Sequence, residues 1–158
     1  MIVSLFSANV SAEIKNMENF GKDISKMYLL STKRIDREDG SYIIEKTYVD
    51  KPFTLYSTIG TVSYVKRGSA VLPKTVLVEY EVEGTFNWDS KNKTVTVSSS
   101  SGRVTYNQGG DITGEEVTTH GNGSRRARVN YKFKRTTNLG FSTNYSISVG
   151  CDSKGSIL

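Results

Sequence analysis

The chain has 158 residues, with 21 Lys+Arg against 16 Asp+Glu, a formal net charge of +5 at pH 7. That length is one domain's worth of chain, and 36% hydrophobic with 10% aromatic residues is enough apolar side chain for a core, which excludes a disordered polymer. One His, one Cys, one Trp and two Pro starve most catalytic and metal-binding chemistries, and a lone Cys excludes an intramolecular disulfide.

Residues 1–12 carry no charge, open on Met1-Ile2-Val3-Ser4-Leu5-Phe6 and close on Val10-Ser11-Ala12 ahead of Glu13. A small residue two before Ala, followed by a polar start, reads as a signal-peptidase site. The segment is therefore expected to be a signal-peptide remnant without its basic start, with a buried N-terminal strand as the alternative. No window approaches the 18 apolar residues of a membrane span. Residues 13–30 then place Ile14, Met17, Phe20, Ile24, Met27 and Tyr28 at spacings of three and four, which predicts a short helix interrupted at Gly21. Residues 27–30 read equally well as the start of a strand, so 13–40 is expected to be a helical or loosely packed N-terminal segment ahead of a single β domain over 41–158.

From Ser41 the hydrophobic period becomes two. Residues 42–49 follow the turn signal Asp39-Gly40, Lys51-Pro52 punctuates the join to Phe53-Thr54-Leu55-Tyr56, and a further strand spans 61–66. The clearest element covers 75–88. Val76, Val78, Tyr80, Val82, Phe86 and Trp88 occupy one face, while Glu79, Glu81 and Glu83 lie on the other. Gly84, mid-run on the apolar face, predicts a bulge or bend. Residues 89–93 read as a hairpin loop, 94–97 as the return strand and 103–106 as another.

The stretch 107–124 has five Gly and little that is apolar, so it is expected to be a flexible Gly-rich loop. A last hairpin follows. Ala127, Val129, Tyr131 and Phe133 alternate with Arg126, Arg128, Asn130, Lys132 and Lys134; after a turn at 136–140, Phe141, Thr143, Tyr145, Ile147 and Val149 alternate with small polar residues. Cys151 ends that strand and is expected to be buried as a small hydrophobe. Together these elements predict an all-β chain, an antiparallel β-sandwich or partly open barrel with a short N-terminal helical segment.

The string Glu83-Gly84-Thr85-Phe86-Asn87-Trp88, the basic strand 128–135 and the ending Val149-Gly150-Cys151-Asp152-Ser153-Lys154-Gly155 resemble a family of small exported Gram-positive (Firmicutes-type) bacterial proteins. In that family a G-T-F-x-(Y/W) strand, a basic strand and a final x-C-D-x-x-G strand recur. The resemblance spans about residues 75–158. It implies export and an all-β fold, and it carries no catalytic residue with it. The Gly-rich stretch around His120 is outside the family's pattern.

Catalysis finds little to work with. His120, the single imidazole, lies among glycines with no nucleophile elbow nearby, so a hydrolase built on it is the weakest reading. Carboxylates alternating along a strand read as a solvated face. Asp111, Glu115 and Glu116 offer oxygen ligands without the spacing of a calcium loop, and neither a metal site nor a cofactor motif is expected.

The strongest feature is basic. Arg125, Arg126, Arg128, Lys132, Lys134 and Arg135 put six cations and no anion into eleven residues, leaving 15 Lys+Arg against 16 Asp+Glu, a net −1, for the rest of the chain. Alternation sends Arg126, Arg128, Lys132 and Lys134 to one face, where they could bind an anionic cell-wall polymer, a glycan or an acidic lipid. Nucleic acid is disfavoured because no aromatic interleaves on that face. Equally, the stripe could pair with Glu79, Glu81 and Glu83 on a neighbouring strand. The resulting expectation is a non-catalytic binding module, secreted or held at the bacterial cell surface; the alternative is a membrane-active or pore-forming β protein, suggested by the Ser/Thr-rich alternation of 94–106 and 141–149.

Overall fold

A computed structural model describes residues 23–51, 57–73 and 75–158. Residues 1–12, 13–22 and 53–56, on which the signal remnant, most of the expected helix and one expected strand fall, lie outside the described residues. Within them, the period-two segments become eight antiparallel strands: β1 (Tyr28–Asp36), β2 (Tyr42–Val49), β3 (Ile59–Leu72), β4 (Thr75–Asp89), β5 (Thr94–Asn107), β6 (Asp111–His120), β7 (Arg126–Thr136) and β8 (Ser142–Asp152). The first five form one meander in the order β1-β2-β3-β4-β5, the last three a second sheet in the order β6-β7-β8, and the two are separate sheets, not a closed barrel.

Two expectations need correction. The end of the expected helix is only a 3-10 turn, Ile24–Lys26, capped by the Asp23 carboxylate, after which Tyr28 starts β1. The β fold therefore begins well before residue 41. The β-branched and apolar side chains of Tyr28 to Ile35 pair with β2 across a register shift at Leu30, which a three-to-four spacing count does not register. The stretch 107–124 is likewise mostly a strand, β6, with short turns at either end. Its pattern is broken by a bulge. Thr113 pairs with Lys134 and Glu116 with Lys132, so Gly114 and Glu115 share the place opposite Phe133, and Gly114 sits at φ +63 as the first residue of such a bulge requires. The extra residue keeps Ile112 and Val117 on the same, inward side.

The sheets face each other across a core to which both contribute. Val78, Tyr80, Val82 and Phe86 of β4 meet Ala127, Val129, Tyr131 and Phe133 of β7 and Tyr145, Ile147 and Val149 of β8, all buried. Phe133 is the hub. Its ring stacks on Tyr145 at 5.1 Å and Tyr131 at 5.4 Å, and meets Tyr80 edge-on at 5.2 Å. β4 keeps its register with β3 at Gly84, opposite Tyr64, while its register with β5 shifts between Thr85 and Phe86, beside the expected irregularity; a Cβ at Gly84 would stand 2.7 Å from the Phe86 ring and 3.0 Å from Val129. Close packing against Phe86 and Val129 leaves no room for a larger residue here.

Short contacts close the sandwich at its flanks. Val95 exchanges backbone bonds with Gly123 and Ser124 of the β6–β7 turn, at 2.8 and 2.7 Å. On the other side the chain end folds back from β8, and the Tyr64 hydroxyl donates to the Gly155 carbonyl at 2.6 Å.

Candidate functional site

The alternation of β7 puts Arg126, Arg128, Lys132 and Lys134 on the outer face of the three-stranded sheet, all exposed, because the odd residues 127–133 are in the core. Register then composes the rest of that face. His120 of β6 and Gly150 of β8 flank Arg128; Thr118 and Ser148 flank Asn130; Glu116 and Ser146 flank Lys132; Thr113 and Asn144 flank Lys134. The result is a row of cations between two rows of mainly hydroxyl and amide groups, and the outward positions of these strands hold no Phe, Tyr or Trp.

Among the described residues, only Lys132 of the four cations has an ion pair, its Nζ 2.8 Å from Glu116 Oε2, with both partners at least half exposed. No carboxylate pairs with Arg126, Arg128 or Lys134 among the described residues. Asp152, register partner of Arg126, directs its Oδ1 to the backbone N–H groups of Lys154 and Ser156 at 2.8 and 2.9 Å.

The three glutamates are elsewhere. They stand on the outer face of β4, in the other sheet, with the core between them and β7. Glu81 is buried and held by two arginines of its own sheet, Arg67 Nε at 2.8 Å on Oε2 and Arg103 Nη2 at 2.6 Å on Oε1. Ser69 Oγ donates to Glu79 at 3.2 Å, and burial pushes the Glu79 carboxyl above its ordinary value despite that bond and the nearby Arg67 and Lys46. Pairing of the basic strand with this acidic stripe is therefore excluded by sheet membership.

No protein-family model, curated protein or solved structure matches the chain. Its chemistry must be read from its own side chains.

Arg135 does not belong to the basic face. It has the parity of the core residues, is buried, and reaches the β5–β6 corner, donating from Nε to Asn107 Oδ1 at 2.8 Å and from Nη2 to the carbonyls of Gln108 and Gly109 at 2.8 and 2.9 Å. His120 ends β6, exposed, opposite Arg128, and bonds to no described side chain. Glu115 turns inward at the bulge and accepts from the Tyr131 hydroxyl, whereas its neighbour Glu116 turns outward. Among the described residues no group of three or more His, Cys, Asp or Glu side chains is placed to hold a metal ion, and no helix is long and apolar enough to cross a membrane.

A cavity of about 570 Å³ opens between the first strands and the chain end, lined by Tyr28, Leu30, Ile59, Tyr64, Trp88 and Ile157 among others. Among the described residues Lys51 is the one charged side chain on its wall, and no acid–base pair of described residues converges there. What a reading of residues alone misses is the contribution of β6 and β8, because flanking hydroxyls join the cations only through register.

Proposed function

We propose that the protein is a non-catalytic binding module, exported to the bacterial cell surface, that engages an anionic partner through Arg126, Arg128, Lys132 and Lys134. One observation carries this reading: these side chains are exposed on one face and three of them have no carboxylate partner among the described residues. Two guanidiniums can each present a fork of donors to a phosphate or sulfate, and the neighbouring Ser, Thr and Asn side chains add neutral donors. The lack of aromatic rings on the face argues against single-stranded nucleic acid, whose binders stack bases.

The placement of His120 supports the non-catalytic reading. A general base needs a partner that orients the imidazole and stabilises its charged form, and the group across the ladder here is a cation. Export is supported by the cleavage-site pattern at Ser11-Ala12-Glu13.

The test is retention on heparin as a function of salt. Wild-type protein is expected to bind at low ionic strength and to elute with a steep dependence on salt, because binding releases condensed counterions. R126E/R128E/K132E/K134E is expected to pass through unretained while keeping its circular dichroism. Retention that ignores salt, or that survives the fourfold reversal, overturns the reading.

A further inference from the structure

The two most exposed large apolar side chains among the described residues, Leu139 at 83% and Phe141 at 71%, share one turn, the 137–141 connection between β7 and β8. Alternation would have assigned Phe141 to the core, yet it lies in water. The turn also satisfies much of its own backbone. The Thr137 N–H donates to the Phe141 carbonyl and the Gly140 N–H to the Thr137 carbonyl, both at 2.8 Å, and the Phe141 N–H donates to Thr137 Oγ1 at 3.2 Å. Main-chain groups already bonded internally can leave water without an unmet donor.

Behind this tip the hairpin is graded. First come the hydroxyls of Thr136 and Ser142, bonded to each other at 2.9 Å; one ladder step further, about 7 Å along the strand, stands Lys134 beside Asn144, then Lys132 beside Ser146, then the two arginines. On the flanking strand Asp111 lies opposite Thr136 and Glu116 pairs with Lys132, so two carboxylates stand against the four cations of β7 along this stretch.

We propose that the 137–141 turn is a membrane foot: the anionic partner is the surface of a phospholipid bilayer with acidic headgroups, into whose hydrocarbon boundary Leu139 and Phe141 enter while Lys134 and Lys132 stay among the phosphates. This rests on the binding reading above and names its partner. A polyanion in water offers phosphate or sulfate but no apolar phase, and would leave both side chains as exposed as before. A bilayer offers both, in the depth order of the hairpin: hydrocarbon, ester and hydroxyl layer, charge.

Flotation with vesicles of phosphatidylcholine alone and of phosphatidylcholine mixed with phosphatidylglycerol tests this, with heparin retention run in parallel. Wild type is expected to float with the acidic vesicles only. L139S/F141S, which alters two exposed side chains, is expected to lose at least about tenfold in partition while its heparin retention is unchanged, and L139W is expected to shift its emission to the blue on binding. Unchanged flotation of L139S/F141S overturns the foot. So does heparin binding without any flotation, which leaves the anion-binding reading standing; failure on both supports removes both. Concentration-dependent self-association that disappears in L139S/F141S, in the absence of lipid, assigns the turn to a second copy and also overturns the proposal.

Discussion

Single side chains show how polar atoms are accommodated in this β core. Arg135 is a cation with no carboxylate partner among the described residues; its guanidinium is satisfied by one amide oxygen and two carbonyls at the corner where β5 leaves one sheet and β6 enters the other. Removing it strands those acceptors, so R135A is expected to lose about 1–3 kcal/mol in denaturant unfolding, whereas K134A, exposed and unpaired, should stay within about 0.5 kcal/mol of wild type. Tyr80 is the opposite case. Its hydroxyl is buried without a hydrogen-bond partner among the described residues while its ring packs on Phe133 and Tyr145. Y80F keeps the ring and removes the orphan, and is expected to be neutral or more stable by up to about 1 kcal/mol in the same measurement. The inward direction of Arg135 was legible in the sequence, since it has the odd parity of Ala127, Val129, Tyr131 and Phe133. Its partners were not, because Asn107 and Gln108 are almost thirty residues away in the chain.

At the level of elements, β4 and the β7–β8 hairpin were readable because apolar residues alternate over a long run, and all of the alternating ones but Val76 and Phe141 are buried. The strand β6 was not. It has two apolar residues in ten, lies at a sheet edge with one face to solvent, and Gly114 with Glu115 breaks its phase. A glycine with extended backbone makes a related point on β5. Gly102 lies under the Tyr131 ring of the facing sheet, and a Cβ there would overlap Tyr131 Cβ, Cγ and Cδ2. G102A is therefore expected to destabilise by about 1–3 kcal/mol through overpacking, read as a lowered denaturation midpoint with unchanged slope; an unaffected midpoint would mean that the ring can move. Read from the sequence, 94–97 and 103–106 are two strands with Gly102 between them, whereas β5 runs straight through it, because the requirement for glycine comes from the opposite sheet.

For the molecule as a whole, burial of weak acids sets its behaviour in alkali. The Cys151 thiol is fully buried and pushed up from 9.0 to about 12, chiefly by burial, and burial likewise raises the hydroxyls of Tyr64, Tyr80 and Tyr131 above 10.0. In the unfolded chain these groups ionise near their ordinary values, so as pH rises above 9 the unfolded state binds fewer protons than the folded one and stability falls. Thermal unfolding is expected to be flat with respect to these groups below pH 8 and to drop progressively between pH 9 and 12, with Cys151 inert to thiol reagents until the protein unfolds. A midpoint that does not change across that range contradicts the burial of these groups.

What the amino-acid order determined by itself is the period: which residues of β4, β7 and β8 face the core, that the chain is all-β, and that its positive charge is concentrated in one strand, because alternation is a local property of the pleat. What only the tertiary structure decided is which strands share a sheet. The acidic stripe of β4 and the basic stripe of β7 have the same period and equal claim to each other in the sequence. They are separated because β4 pairs with β3 and β5, where Arg67 and Arg103 meet Glu81, while β7 pairs with β6 and β8. Strands of identical period differ in their partners only through long-range packing and turn geometry, so the exposed cations of β7 were settled by the rings of Tyr131 and Phe133 on its other face, which dock against the opposite sheet.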